Sequence, residues 1–133
     1  MSGSEISDAA VLTALRRQLS LAAARQAVAA GNLANVDTPG FRAREVDFSA
    51  ALDRELAQAG RVRVTHANHL PGAAVDSVRA VETQGLPERR DGNNVQIDQE
   101  LLAMTRAQSD FSRAQTALAA KFRLVRYAIN EGR

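Results

Sequence analysis

The feature that most constrains the fold is a pair of heptad stripes, one at each end of the 133-residue chain. In the first stripe the residues are spaced alternately three and four apart, which places them on one face of an α-helix and is typical of coiled coils. We therefore predict a helix over residues 8–34. Its stripe comprises Leu12, Leu15, Leu19, Ala22, Gln26, Ala29 and Leu33.

The second stripe keeps the same spacing near the C-terminus and predicts a helix from Ile97 to Ile129, with Asn94 as its N-terminal cap. Glutamines interrupt both stripes. They either fix the register of helix pairing or face solvent where the helices diverge, and the pattern leaves both readings open. The second stripe comprises Ile97, Leu101, Met104, Gln108, Phe111, Gln115, Leu118, Phe122, Val125 and Ile129.

The chain between the stripes is polar and punctuated by proline and glycine. Residues 49–59 have helical spacing, residues 61–66 alternate briefly like a strand, and residues 60–92 are expected to be mostly extended with a short hairpin. The expected fold is mainly α, with long N- and C-terminal helices pairing as an antiparallel coiled coil. We expect an N-terminal helix in residues 1–34, a linker and variable middle in 35–93, and a C-terminal helix in 94–133. The two helices together would form one axial coiled-coil domain.

Large apolar residues are too few for a substantial core. The chain has four Phe, one Tyr and no Trp, so two helices paired through these stripes would be marginal on their own. Further apolar residues lie off the stripes and would remain on the outer faces of the pair. This surplus predicts packing into a larger assembly. The off-stripe residues are Val11, Leu21, Val28, Leu102, Leu124 and Tyr127.

Charge and composition exclude several classes of protein. The net charge is only +2, without the clustered basic face that nucleic-acid binding requires, so an Arg-rich nucleic-acid module is disfavoured. The absence of cysteine excludes a disulfide framework and a thiol nucleophile. The polar N-terminus lacks the layout of a secretory signal, and no apolar run reaches the length of a membrane span.

Candidate catalytic and metal-binding residues are sparse. His66 and His69 are the only histidines, and without a clear third ligand nearby we expect surface or interface histidines rather than a metal site. Carboxylates occur in pairs, as at Asp98 and Glu100, without an associated base or nucleophile. We therefore expect no enzyme activity, no catalytic residue, no metal and no cofactor.

The first stripe ends in the segment GNLANVDTPGF, residues 31–41. Asn35 can adopt the left-handed conformation that ends a helix. Pro39 forces Thr38 out of helical geometry, and Pro39-Gly40 suits the centre of a type II turn. Phe41 then leaves the turn on a fixed heading. These residues make an effective helix stop, but their accumulation suggests a second role.

This segment resembles the signature of bacterial flagellar rod and hook proteins, an Asn-Leu-Ala-Asn run followed by Thr-Pro-Gly-aromatic. The segments FRAREVDF at 41–48, THANHL at 65–70, DGNNV at 91–95 and KFRLVRYAI at 121–129 are similar to the proximal rod branch of that family. The matching signature residues are Asn32, Leu33, Ala34, Asn35, Thr38, Pro39, Gly40 and Phe41.

The resemblance implies a structural subunit of the flagellar basal-body rod, exported without a cleaved signal peptide. It implies that the subunit associates with copies of itself and with other rod proteins in a helical tube. The further partners that it implies are the rod–membrane-ring adaptor, the inner-membrane ring and the export gate. The implied location is the rod in the periplasmic space. It implies no nucleic-acid partner and no membrane span. The stripe residues would then serve in assembly, and residues 36–48 would form a linker. The alternative reading is a small cytoplasmic helical-hairpin adaptor that binds partner helices.

Overall fold

The computed structural model describes residues 8–47 and 79–131. It contains helix α1 (Asp8–Ala34), strand β1 (Arg44–Val46), strand β2 (Ala80–Glu82) and helix α2 (Ile97–Glu131) in chain order. The helix predicted over 49–59, the strand predicted over 61–66 and both histidines lie outside the described residues.

The two long helices pack against each other in antiparallel orientation. The side chain of Gln26 on α1 donates to Gln108 Oε1 on α2 at 3.2 Å. Just beyond the end of α1, Asn35 C=O accepts from the side chain of Asn93, which lies just before the start of α2, at 3.0 Å. The two helices therefore run in opposite directions. The predicted fold class is confirmed.

Alanine occupies the most buried positions between the helices. Ala22 and Ala29 of α1 and Ala107 and Ala114 of α2 are nearly inaccessible, and in each helix the two alanines are one heptad apart. Such small side chains let the two backbones approach closely. Because each alanine buries little more than a methyl group, worth about 0.8 kcal/mol, this line of contact stabilises the pair only modestly.

Larger side chains lie beside the alanines and remain partly exposed. On α1 the predicted stripe matches this pattern, because every one of its seven residues is buried or half-buried. On α2 only part of the stripe does so. The half-buried residues of the α2 stripe are Met104, Phe111 and Leu118.

The remaining residues of the α2 stripe are exposed. Gln108 and Gln115 each follow a buried alanine by one residue, which turns them about 100° around the helix and onto its flank. The sequence pattern placed the large residues in the contact, whereas the structure places Ala107 and Ala114 there. The exposed large residues of the α2 stripe are Ile97, Leu101, Phe122, Val125 and Ile129.

A short antiparallel ribbon joins the linker to the region that precedes α2. Arg44 pairs with Glu82, Glu45 with Val81 and Val46 with Ala80. The ladder continues past both strand ends, where Thr83 N–H donates to Ala43 C=O and Asp47 N–H donates to Arg79 C=O, both at 2.9 Å. The ribbon thus holds residues from the two sides of the 48–78 segment at hydrogen-bond distance.

Ion pairs reinforce the ribbon on its exposed side. The Arg42 side chain contacts Glu82 in β2 at 2.9 Å and also contacts Glu88 beyond it. Hydrogen bonds from Arg42 to Glu88 and then to Glu82 raise the pKa of the guanidinium. Because all three side chains are solvent-accessible, these pairs contribute little to stability.

The closure of the ribbon predicts that residues 48–78 can be removed without disturbing the rest of the fold. Replacing them by an Asn-Gly turn would join two residues that already lie side by side, and the shorter loop should stabilise the fold by on the order of 1 kcal/mol. The urea midpoint and the helical circular dichroism of the shortened chain check this expectation. A lower midpoint than that of the full chain would contradict it, as would a loss of helical signal greater than the helix predicted over 49–59 could give.

Candidate functional site

The candidate site is the signature loop, defined as residues 32–41, together with the segment that holds it. At its start, α1 ends by tightening: Asn35 N–H donates to Asn32 C=O at 3.1 Å and Val36 N–H to Leu33 C=O at 3.2 Å. These bonds span three residues instead of four, a common way to satisfy carbonyl groups at the end of a helix.

A tight turn then reverses the chain at Pro39 and Gly40. Phe41 N–H donates to Thr38 C=O at 3.2 Å, and Gly40 has a φ of 72°. Proline followed by a residue of positive φ defines a type II turn, as the sequence predicted. Phe41 leaves the turn half-buried and lines a cleft beside Val28 and Gly31 of α1.

The side chains of Asn35 and Thr38 tie the loop back to the helix end. Asn35 Nδ2 donates to Gly31 C=O at 2.8 Å, and Thr38 Oγ1 donates to Asn35 Oδ1 at 3.2 Å. The left-handed conformation predicted for Asn35 is wrong, because no described residue other than glycine has a positive φ. With its amide bonded to the last helical turn, Asn35 extends the helix end instead of reversing it.

Asn32 binds the strand that follows the loop. Its Nδ2 donates to Arg44 C=O at 2.7 Å and its Oδ1 accepts from Arg44 N–H at 2.9 Å. The amide therefore satisfies both outward-facing backbone groups of one residue, as a neighbouring strand would. Since Asn32 is buried, this pair of bonds fixes the start of β1 against α1.

A second segment, residues 91–95 and here called the DGNNV segment, approaches the signature loop from the other end of the chain. A turn closed by Gly92 N–H to Arg89 C=O at 2.9 Å leads into it, and Gly92 has a φ of 80°. Gly40 N–H then donates to Asp91 C=O at 2.8 Å. The two glycine turns therefore lie against each other, and a Cβ on Gly92 would come 3.5 Å from Gly40 Cα.

Asn93 is the centre of the site and is fully buried. Its Nδ2 donates to the carbonyls of Asn35, Val36 and Thr38 at 3.0, 3.1 and 2.8 Å. Its Oδ1 accepts from Val95 N–H at 2.8 Å. One amide group thus satisfies three carbonyls of the signature loop and turns its own chain toward α2.

Asn94 is also buried and acts through its oxygen. Its Oδ1 accepts from Ala43 N–H at 2.6 Å, and its backbone N–H donates to Phe41 C=O at 3.3 Å. The predicted role of Asn94 as a helix cap is wrong. Helix α2 begins at Ile97, and its first bond runs from Glu100 N–H to Gln96 C=O at 3.0 Å.

Asn93 was missed from the sequence, and the helix-cap role predicted for Asn94 differs from the one observed. The available signal was the pair of adjacent asparagines after an Asp-Gly turn, since asparagine can bond backbone groups that irregular segments leave unpaired. What the sequence could not give is the partner, because Asn93 and the loop carbonyls are 55 to 58 positions apart in the chain.

The structure places the remaining signature residues around this centre. Leu33 is half-buried on α1, whereas Ala34, Thr38 and Pro39 are exposed. Gln26 and Gln108 bond across the helix pair, while Gln115 is exposed. A role of the glutamines in register, and of the stripe residues in assembly, stays a prediction.

The described residues contain no cluster of three or more His, Cys, Asp or Glu side chains arranged to hold a metal ion. Neither helix α1 nor α2 is long and apolar enough to cross a membrane. The site as described is therefore a network of amide and backbone hydrogen bonds that shapes a loop.

Comparison with known proteins identifies the family. Residues 12–42, which include most of α1 and the signature loop, match the sequence model described as flagella basal body rod protein. The flagellar basal body rod protein FlgB of Escherichia coli (strain K12) is 36% identical over 100 residues, which cover 68% of this chain and 72% of that protein. The chain belongs to the flagellar basal-body rod protein family.

Further members of the family give the same result. The FlgB protein of Salmonella typhimurium is 35% identical over 100 residues, with 68% of this chain and 72% of that protein covered. The FlgB protein of Bacillus subtilis (strain 168) is 28% identical over 120 residues, with 90% and 92% covered. Membership in the family makes this chain a structural component of the flagellar basal body.

The two glycines at the helix end predict opposite effects of alanine. Gly40→Ala places a side chain at positive φ and should destabilise the fold by roughly 1 kcal/mol. Gly31→Ala is the matched control: this residue lies within α1 with open space around its Cα, so alanine should stabilise by up to about 1 kcal/mol. Urea unfolding of both variants measures the difference, and equal shifts of the same sign would contradict the turn assignment.

Glu100 predicts a specific pH dependence. Partial burial raises the pKa of this carboxyl, while the hydrogen bond from Asn32 opposes the rise. A raised pKa in the folded state means that the contribution of Glu100 to stability is greatest at acidic pH and is lost as pH rises through the folded pKa. Relative to Glu100→Gln, the native chain should therefore lose stability as the pH rises from about 4. Urea midpoints measured at increasing pH test it, and a relative gain would contradict the burial of this carboxyl.

Proposed function

We propose that this chain is a rod subunit that assembles helically with other rod proteins into the tube that acts as the drive shaft and transmits torque for motility. In this proposal the paired helices lie along the tube and form its inner α-helical layer. The neighbours are other rod proteins, the rod–membrane-ring adaptor and the inner-membrane ring with its export gate. The subunit reaches the periplasmic space through the flagellar type III apparatus, without cleavage of a signal peptide.

The observation that carries this proposal is the exposure of large apolar side chains on α2. Leu124 and Ile129 are 64% and 67% exposed, and Phe122 and Tyr127 are more than half exposed. These residues point in several directions around the last turns of α2. A helix that is apolar on many sides requires partners on more than one side.

The composition of the buried set supports the same conclusion. The buried apolar side chains among the described residues are five alanines and Val95, so the apolar area hidden within one chain is small. Copies that contact different faces of their neighbours bury the remaining apolar surface and extend into an open helical tube. Family membership supports placing this tube in the flagellar rod.

The signature loop supports a mechanical role for the linker. Its conformation is held by directional hydrogen bonds to buried asparagines, which resist displacement more specifically than apolar contacts do. In an assembled tube, a loop fixed in this way would transmit mechanical load from the helix pair to the ribbon while keeping its own conformation.

The proposal predicts that removing apolar surface from α2 will abolish rod assembly without unfolding the helix. Phe122→Ser combined with Ile129→Ser changes two exposed residues, so the free energy of unfolding should change by no more than about 0.5 kcal/mol per site. Motility in soft agar and incorporation into isolated basal bodies should both be lost in a deletion strain that expresses this variant.

The matched control is Gln99→Ser combined with Asn130→Ser, two exposed polar residues of the same helix that lie off the stripe. This control should support normal motility and normal incorporation. If the apolar double variant swims as well as the control and enters basal bodies in equal amount, the assembly role of this surface is wrong.

A further inference from the structure

We propose that Asn93 is a positioning residue for the signature loop, and that the loop therefore acquires its shape only when the two ends of the chain are paired. The family signature is then only half of a structural unit, and the DGNNV segment supplies the other half.

The hydrogen bonds to the loop carbonyls support this role. Within the loop, Thr38 N–H donates to Asn35 C=O at 3.0 Å and Phe41 N–H donates to Thr38 C=O at 3.2 Å. The donors to Val36 C=O, the side chains of Asn93 and Arg89, both lie outside the loop. Asn93 Nδ2 reaches all three, at 3.0, 3.1 and 2.8 Å. An amide nitrogen carries two protons, so one of them is shared between two acceptors.

Asn93 is itself held in place by three hydrogen bonds of its own. Its N–H donates to Asp91 Oδ1 at 3.1 Å, its C=O accepts from Arg89 N–H at 2.8 Å, and its Oδ1 accepts from Val95 N–H. The amide therefore cannot rotate away from the loop without breaking its own turn. Such a residue dictates the position of its partners instead of following them.

Apolar packing restrains the loop only weakly. Near the loop the buried apolar side chains are Ala43 and Val95, which are too small to fix its path. Besides the bonds within the loop, further polar restraints come from the region around Asn93, since Asp91 C=O accepts from Gly40 N–H and the Arg89 side chain donates to Val36 C=O. These groups reach the loop only when the region before α2 lies beside the end of α1.

Two isosteric variants test the positioning role. Asn93→Asp replaces the donor by a second oxygen and sets a carboxylate against three carbonyls, so it should break the contact. Asn94→Asp is the matched control, because Asn94 contributes an acceptor to Ala43 N–H and aspartate keeps that acceptor. Both variants add one negative charge at a buried position.

Amide hydrogen exchange of the full chain is the first readout. In Asn93→Asp the amides of Thr38, Gly40 and Phe41 should exchange at least about tenfold faster than in the native chain, and in Asn94→Asp clearly less so. The amides of Ala107 and Ala114, in the middle of α2, should be unchanged. Equal acceleration in both variants, or acceleration that spreads equally to α2, would show that Asn93 supports only overall stability and would overturn the proposal.

Exchange in increasing urea tests the dependence on paired ends. The loop amides should lose protection at or below the urea concentration at which Ala107 and Ala114 lose theirs. Loop amides that stay protected after the helix pair has opened would show that the signature folds on its own, and the proposal would fail.

A final readout uses the assembled protein and rests on the proposed rod role. Because the chain has no cysteine, Val36→Cys gives this chain a single maleimide target, whose labelling is followed on this chain in isolated basal bodies. Adding Asn93→Asp should speed its labelling about tenfold or prevent incorporation, while adding Asn94→Asp should do neither. Equal incorporation and equal labelling of the Asn93→Asp and Asn94→Asp chains would overturn the positioning role and leave the rod role intact. If the chain with Val36→Cys alone has native exchange rates and still fails to enter basal bodies, that result counts against the rod role.

Discussion

The hydrogen bonds from the buried amide of Asn93 to the carbonyls beyond α1 are the interaction on which the rest of this structure depends. A helix that stops abruptly leaves backbone groups unpaired, and burying them without partners costs more than most side-chain contacts return. Here the partners come from the far end of the chain. The same contact that completes the helix end also brings the start of α2 beside it. One set of hydrogen bonds therefore both satisfies the backbone groups beyond α1 and pairs the two ends of the chain.

This arrangement divides the molecule into two kinds of contact. Between the helices the contact is small and apolar, with alanine at the closest points. Around the signature loop it is polar and directional, with Asn32, Asn93 and Asn94 each bonding specific backbone groups. Apolar contacts tolerate sliding, whereas amide contacts do not. The polar end therefore defines the geometry of the unit, while the apolar stretch leaves surface available for neighbours.

Much of the fold followed from the sequence because the heptad spacing is a local signal. Helix α1 has the predicted bounds, and its stripe has the predicted phase, since all seven of its residues are buried or half-buried. On α2 seven of the ten stripe positions are exposed. Large residues such as Leu101 and Phe122 have the spacing of a core, yet Ala107 and Ala114, which lie off the stripe, make the closest contact. A search for hydrophobic periodicity gives large apolar residues more weight than alanine. It therefore assigns the contact to the large residues even where neighbouring alanines make it.

The turn of the signature loop was predictable from the sequence, whereas the hydrogen-bond partners of its asparagines were not. The Pro39-Gly40 turn depends on the backbone preferences of two adjacent residues, and the sequence is sufficient to predict it. The roles of Asn35 and Asn94 depend on which distant groups come near, and local preference suggested a left-handed helix end and a helix cap instead. An asparagine that bonds a residue far along the chain looks, in sequence, the same as one that bonds its neighbour.

The antiparallel pairing of α1 and α2 also has an electrostatic consequence. Each helix carries a macrodipole equivalent to roughly half an elementary charge at each end, and opposed neighbours cancel most of each other's field. The helix pair therefore has little net dipole moment along its axis. Many such units can be stacked with a common polarity without building up the end-to-end field that parallel helices would accumulate.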